Sequence, residues 1–103
     1  MQGFVKVKKV GEMSPGDMTL VEVEGERILL ANVGGKLHAV DEACPHREAP
    51  LSGGVLEGEE VDCPLHGSRF NVTTGECLVG PSTRGLQQYA VKVEGEDIFI
   101  GPA

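Results

Sequence analysis

The chain has 103 residues, 40% hydrophobic and 24% charged, a composition that fits one globular domain with a single core. Its formal net charge of −7 makes nucleic acid and anionic membrane surfaces poor partners. No segment approaches the roughly 18 consecutive apolar residues of a membrane span, and the first residues lack the apolar run of a signal peptide. We therefore expect a cytoplasmic protein that binds neither nucleic acid nor membrane.

The first forty residues show the alternation of apolar and polar side chains that is typical of β-strands. Glu24-Gly25-Glu26 and Gly34-Gly35 lie between strands and have the composition of hairpin turns. No apolar repeat of helical period separates the strands, so the pattern predicts an antiparallel all-β fold. The predicted strands cover Phe4–Val10, Met18–Glu24, Arg27–Val33 and Lys36–Val40.

The segment from Asp41 to about Ser82 interrupts this alternation. Within it, glycine-rich turns at 52–54 and 57–59 predict a hairpin, and Arg69–Val72 predicts a short strand. Strand alternation resumes at Leu86–Val93 and ends at Ile98–Ile100. We therefore predict one domain, with a base formed by residues 1–40 and 83–103 and an inserted subdomain at about 41–82.

Two short motifs in this insert contain metal-binding side chains. Cys44-Pro45-His46 and Cys63-Pro64-Leu65-His66 together offer two thiolates and two imidazoles, which is a four-ligand set. A Cys2His2 zinc finger would pair Cys with Cys and His with His. The mixed pairs instead favour a two-iron centre, although a structural zinc site or two chance pairs are alternatives.

With this spacing, the two motifs resemble the signature of Rieske [2Fe-2S] proteins, in which two His replace two Cys on one iron. The resemblance implies one [2Fe-2S] cluster, with Cys44 and Cys63 on one iron and His46 and His66 on the other. It also implies the Rieske fold, an antiparallel β-sandwich base with an inserted cluster-binding subdomain. Around the cluster, Gly67 and Ser68 match the second loop of the family, and Gly80-Pro81 matches the loop that covers the cluster.

The resemblance also bears on the reduction potential. High-potential members donate hydrogen bonds to the cluster sulfurs from a Ser and a Tyr, and here the matching residues are Ser68 and Phe70. Those members also join their loops by a disulfide, at positions occupied here by Ala49 and Leu65. We expect a reduction potential lower than that of these high-potential members. In the alternative interpretation, Ser68 is solvent-exposed and does not touch the cluster.

Two further residues fall outside the ligand set. Cys77 is the third of three cysteines, and its lack of a second free partner excludes an internal disulfide and suggests a reducing compartment. We interpret Cys77 as a small buried apolar residue. His38 lies on a predicted strand and is expected to be structural.

The resemblance implies a soluble one-electron carrier between an NAD(P)H-dependent flavin reductase and the terminal oxygenase of an aromatic-ring dioxygenase system. The alternative is an electron-transfer small subunit of another oxidoreductase complex, such as a nitrite reductase. An oxygenase would need a mononuclear iron on two His and a carboxylate. Once His46 and His66 are assigned to the cluster, His38 is the one His that remains. The chain itself is therefore not expected to be an enzyme.

Both partners are expected to dock where the two motifs reach the surface, and the chain is expected to act as a monomer. The expected docking residues are Pro45, His46, Arg47, Leu65, His66 and Gly67.

Overall fold

A computed structural model of the chain describes residues 3–45, 49–64, 67–80 and 84–102. These residues form ten strands and two short 3-10 turns, at Val10–Glu12 and Leu51–Gly53. In the described part of the chain, no helix is long and apolar enough to cross a membrane. The strands are β1 Val5–Lys9, β2 Met18–Val23, β3 Glu26–Val33, β4 Lys36–Asp41, β5 Val55–Glu57, β6 Glu60–Asp62, β7 Arg69–Asn71, β8 Cys77–Val79, β9 Gln88–Glu94 and β10 Asp97–Gly101.

Six of the strands form one large antiparallel sheet in the order β1-β10-β9-β4-β3-β2. The sheet curls until its edge strands β1 and β2 contact each other. Its concave side encloses a core that takes side chains from all six strands. The antiparallel all-β prediction is therefore confirmed. The buried members of this first core are Met13, Val21, Val23, Ile28, Leu30, Ala39, Ile98 and Ile100.

Strand β3 is buried on both faces, which explains its unbroken apolar run. Ile28 and Leu30 point into the first core, while Leu29 and Ala31 point to the opposite side of the sheet. Successive side chains of a strand face opposite sides, so both sides of β3 are covered. The segment from 41 to 86 covers the outer side, forming a second core with Leu29 and Ala31.

The remaining strands form a small antiparallel sheet in the order β5-β6-β7-β8. Val61 of β6 and Phe70 of β7 are fully buried, and both belong to the second core. Strand β8 was not predicted, because Cys77-Leu78-Val79 is too short for a pattern of period two. Its Cys77 is half-buried against the second core, so the prediction of a buried Cys77 is corrected to a partly exposed one.

Asp41, the last residue of β4, joins the large sheet to the segment that carries the first motif. Its carboxylate accepts hydrogen bonds from the Tyr89 hydroxyl at 2.8 Å and from the Gln87 backbone N–H at 2.9 Å. Burial, followed by the hydrogen bond to Asp41, raises the pKa of Tyr89. The chain therefore enters the first motif from a fixed point on β4 and β9.

Candidate metal centre

The first motif lies in a loop whose two ends run antiparallel. The Cys44 N–H donates to the Ala49 carbonyl at 2.9 Å, and the Leu51 N–H donates to the Glu42 carbonyl at 2.9 Å. An isolated β-bridge between Ala43 and Pro50 lies between these two bonds. His46 and Arg47 lie outside the described residues, but the loop that contains them is closed directly behind Cys44.

The second motif lies in the hairpin between β6 and β7. The Cys63 N–H donates to the Ser68 carbonyl at 2.7 Å, and Asp62 pairs with Arg69 one step further from the tip. In each loop, therefore, the Cys N–H binds the carbonyl of the fifth residue after it. Leu65 and His66 lie outside the described residues, within this closed span.

The two cysteines of the motifs are both buried and lie in the same core cluster. Cys44 is 1% exposed and Cys63 is 5% exposed, and both belong to the second core. Neither takes part in a disulfide bond. Each thiol lies at the start of a loop, the two loops have the same length, and each loop also contains a His. Such a set of two thiols and two imidazoles is what a [2Fe-2S] centre of mixed ligation needs.

Three residues that the sequence analysis connected with the reduction potential are buried. Ser68 is fully buried, so the alternative of a solvent-exposed Ser68 is wrong. Phe70 is also fully buried and has no hydroxyl to donate. Ala49 is 3% exposed and packs in the second core.

Gly67 has a φ of +74°, a left-handed conformation in which glycine carries no steric penalty. The shape of the second loop is therefore enough to account for this glycine. Pro81 lies outside the described residues, and Gly80 before it is exposed. His38 pairs with Ala31 inside the large sheet, and burial, together with the charge of Lys36, lowers its pKa.

The sequence did not predict the side chains whose contacts stabilise the two loops. Glu42 is buried and hydrogen-bonded to Ser52, and Arg69 forms an ion pair with Asp62 at 2.6 Å. Sequence alone marked Glu42 only as one acid among sixteen acidic residues. Its partner is ten residues away, and no short-range pattern connects the two.

A cavity of about 500 Å³ also went unpredicted; it lies beside the first loop. Arg27 enters it from β3 and Arg84 from the segment before β9, which brings two cations to the surface near Cys44. The cavity is lined by Arg27, Asp41, Ala43, Cys44, Pro45, Arg84, Gly85 and Gln87.

Comparison with known proteins agrees with this site. A family model described as the Rieske [2Fe-2S] domain matches residues 3–90. The ferredoxin component of a naphthalene 1,2-dioxygenase system from Pseudomonas aeruginosa is 44% identical over 89 residues, covering 86% of each chain. The chain therefore belongs to the Rieske [2Fe-2S] family, and its cofactor is one Rieske-type [2Fe-2S] cluster.

Solved structures give the same result for the fold. The ferredoxin of carbazole 1,9a-dioxygenase from Nocardioides aromaticivorans superposes with a TM-score of 0.92 at 33% identity, over 99% of this chain and 100% of that one. A ferredoxin in complex with the oxygenase of carbazole 1,9a-dioxygenase has a TM-score of 0.92 at 32% identity, over 98% and 94%. A nitrite reductase NADPH small subunit is less similar, with a TM-score of 0.80 at 25% identity, over 94% and 96%.

Proposed function

We propose that the chain is the ferredoxin component of an aromatic-ring dioxygenase system, a one-electron carrier and not itself an oxygenase. The observation that carries this proposal is the pair of buried cysteines at the starts of two equally closed loops. The similarity to dioxygenase ferredoxins is higher than the similarity to the nitrite reductase subunit, which favours the dioxygenase setting. We place the protein in the cytoplasm because its thiols must stay reduced to bind iron.

In this proposal the Cys44 and Cys63 thiolates bind one iron, and the imidazoles of His46 and His66 bind the other. The cluster supplies reversible one-electron transfer when bound. The chain holds the ligands in two closed loops and excludes water from the cysteine side. Residues of about 41–82 form the cluster-binding subdomain, and residues 1–40 and 83–103 form its base. The small sheet, from Val55 to Val79, falls within this subdomain.

Metal analysis tests the ligand assignment directly. The purified protein should be red-brown and contain two irons and two acid-labile sulfides per chain. His46→Ala and His66→Ala should abolish the Rieske-type EPR signal, whereas His38→Ala should keep it because His38 lies in the large sheet. A colourless protein with one tightly bound zinc would contradict the proposal.

We further propose that a flavin-dependent reductase and the terminal oxygenase dock on a monomer around Pro45, His46, Arg47, Leu65, His66 and Gly67. Pro64 and Gly67 are exposed, which supports a docking surface at the second loop. The cavity at the first loop is lined by two arginines, Arg27 and Arg84, and by one acid, Asp41, which supports a net positive charge there on a chain of net charge −7. Transient electron-transfer contacts are small, roughly below 1,200 Å² in total, so a few side chains should decide the rate.

Stopped-flow kinetics across an ionic-strength series test this docking surface. Arg47→Glu should slow electron transfer, most strongly at low salt, where charges steer the encounter. Arg27→Glu should act in the same direction. Lys8→Glu on β1, in the base, is the matched charge reversal and should have little effect. If all three variants show the salt dependence of the wild type, the docking surface lies elsewhere.

A further inference from the structure

Glu42 is an acidic residue with almost no access to solvent. It is 1% exposed, and its two carboxylate oxygens bind the same residue, Ser52. The Ser52 N–H donates to Oε1 at 3.0 Å, and the Ser52 hydroxyl donates to Oε2 at 2.6 Å. Buried carboxylates are rare unless they are paired, so this contact needs an explanation.

Ser52 lies in the 3-10 turn Leu51–Gly53, which begins without a side-chain cap of its own. The first N–H groups of a helical turn have no partner within the turn. The carboxylate of Glu42 supplies that partner from ten residues away. Since Glu42 lies two residues before Cys44, this contact ties the start of the first cysteine loop to the turn that follows it.

The residue after this turn packs against the strand that leads into the second cysteine loop. Gly54, directly after the turn, packs so closely on β6 that a Cβ atom there would overlap the Asp62 carbonyl oxygen. Asp62 precedes Cys63 in the chain. The chain at 51–54 is therefore bound to the start of the first loop through Glu42 and packed, through Gly54, against the end of β6, which leads into the second loop.

We propose that Glu42 is a positioning residue for the cluster: its two hydrogen bonds to Ser52 fix the first cysteine loop against the second. This inference rests on the proposed cluster function. Glutamine keeps the size of the side chain but has one acceptor oxygen instead of two, and alanine has none. The first loop should therefore be held less firmly in Glu42→Gln than in the wild type, and least firmly in Glu42→Ala. The number of acceptor oxygens falls in the same order.

The test measures how fast the cluster is lost in the presence of a fixed excess of an iron chelator, followed by visible absorbance. Glu42→Gln should release the cluster about fivefold faster, the effect of losing one net hydrogen bond. Glu42→Ala should release it faster still and shift the EPR g-values.

Ser52→Ala should increase the release rate less in the Glu42→Gln background than in the wild type, because both changes remove the same contact. Glu22→Gln, an exposed acid on β2, is the matched control and should behave like the wild type.

Hydrogen exchange of the cluster-loaded protein separates positioning from a general loss of stability. Glu42→Gln should speed exchange at the amides of Cys44, Leu51 and Ser52 and leave Ile28 and Ile100 in the first core unchanged. Equal acceleration across both cores, or cluster release at the wild-type rate, would overturn the inference. A wild-type protein that binds no cluster would instead overturn the proposed function, so the two failures are distinct.

Discussion

The two cysteine loops are closed by the same backbone bond but are held by different contacts. Behind the second loop, β6 and β7 pair regularly, and the Arg69–Asp62 ion pair lies at the surface, with side chains 43% and 31% exposed. The first loop has one isolated β-bridge behind it, and its side-chain contact joins the buried Glu42 to the half-buried Ser52. The second loop is the end of a hairpin, while the first depends on contacts made further along the chain.

This difference indicates which loop is the more sensitive to mutation. Exposed ion pairs contribute little, because water and salt screen them and ordering the side chains costs entropy. A buried polar group that loses its partner carries its full desolvation penalty, about 1–3 kcal/mol. We therefore expect the first loop to depend on single side chains and the second to tolerate their loss.

The largest effect is expected at Gly54, where the turn after the first loop packs against the end of β6. Gly54→Ala would put a methyl group onto the Asp62 carbonyl oxygen, which is backbone and cannot rotate away. The turn and β6 must then separate, and such overpacking costs about 1–3 kcal/mol. We expect a lower free energy of unfolding, measured by denaturant titration, and incomplete cluster loading, measured by iron content.

Gly53 provides the matched control for this substitution. It is exposed, and the nearest atom to a Cβ there is Cγ of Pro50 at 4.0 Å, an ordinary contact. Gly53→Ala should leave both stability and iron content near the wild-type values. Equal losses for the two variants would show that the helical turn, and not its contact with β6, is the sensitive feature.

The next effect concerns the reduction potential, which we expect the second loop to tune. Phe70→Tyr should raise the potential, because under the proposed ligand assignment the added hydroxyl, in this fully buried position, would donate a hydrogen bond to the cluster. Ser68→Ala should lower the potential because it removes a buried hydroxyl. Voltammetry should place the wild type in the lower part of the roughly −150 to +300 mV Rieske range.

Stability measurements distinguish a tuning hydroxyl from an unsatisfied one at position 70. A hydroxyl that donates to the cluster should leave the free energy of unfolding nearly unchanged. A loss of about 1–3 kcal/mol with an unchanged potential would mean that the Tyr hydroxyl is buried without a partner. If Ser68→Ala leaves the reduction potential unchanged, the Ser68 hydroxyl does not contribute to that potential.

A smaller effect is expected from the ion pair behind the second loop. Asp62→Asn removes the charge but leaves the β6–β7 pairing in place, since that pairing uses backbone groups. The midpoint of unfolding and the rate of cluster release should both stay close to wild type. A release rate as fast as that of Glu42→Gln would contradict the difference between the two loops.

The sequence predicted the second loop better than the first, for a physical reason. The turn at 57–59 predicted the hairpin that leads to Cys63, and Arg69–Val72 predicted the strand that follows the second loop. Strands β5, β6 and β7 form at these places. The turn at Leu51–Gly53 was interpreted as simple punctuation of a hairpin, because its partners Glu42 and Asp62 are about ten residues away on either side. Contacts of that range leave no periodic trace in one sequence.

The same reasoning applies to the strands and the ligands. Alternation located the strands of the large sheet to within about two residues, the usual uncertainty of strand ends. Strand β8 was missed because three residues carry too little pattern. The two cysteines were predicted as ligands from the motif spacing and the family resemblance. Their burial in the second core depends on Val61, Phe70 and the outer face of β3, which only the folded chain brings together.

The smallest effect is expected from His38, which belongs to neither loop. Burial is the largest cause of its lowered pKa, Lys36 adds to it, and Glu59 opposes it. The folded protein therefore takes up a proton at His38 less readily than the unfolded chain, whose His has a pKa of about 6.5. The stability that neutral His38 provides is fully present above that value and declines as the pH falls through it toward the folded pKa. Since His38 is only half-buried and solvent screens its charge, the change in the free energy of unfolding should be roughly a few tenths of a kcal/mol.

Denaturant titrations of the wild type and His38→Gln at pH 7.5 and 5.5 measure this change. The contributions of His46 and His66 cancel because both proteins contain these residues. The wild type should lose slightly more stability on acidification than His38→Gln, and a larger loss in His38→Gln would show that the pKa of His38 is raised in the folded state.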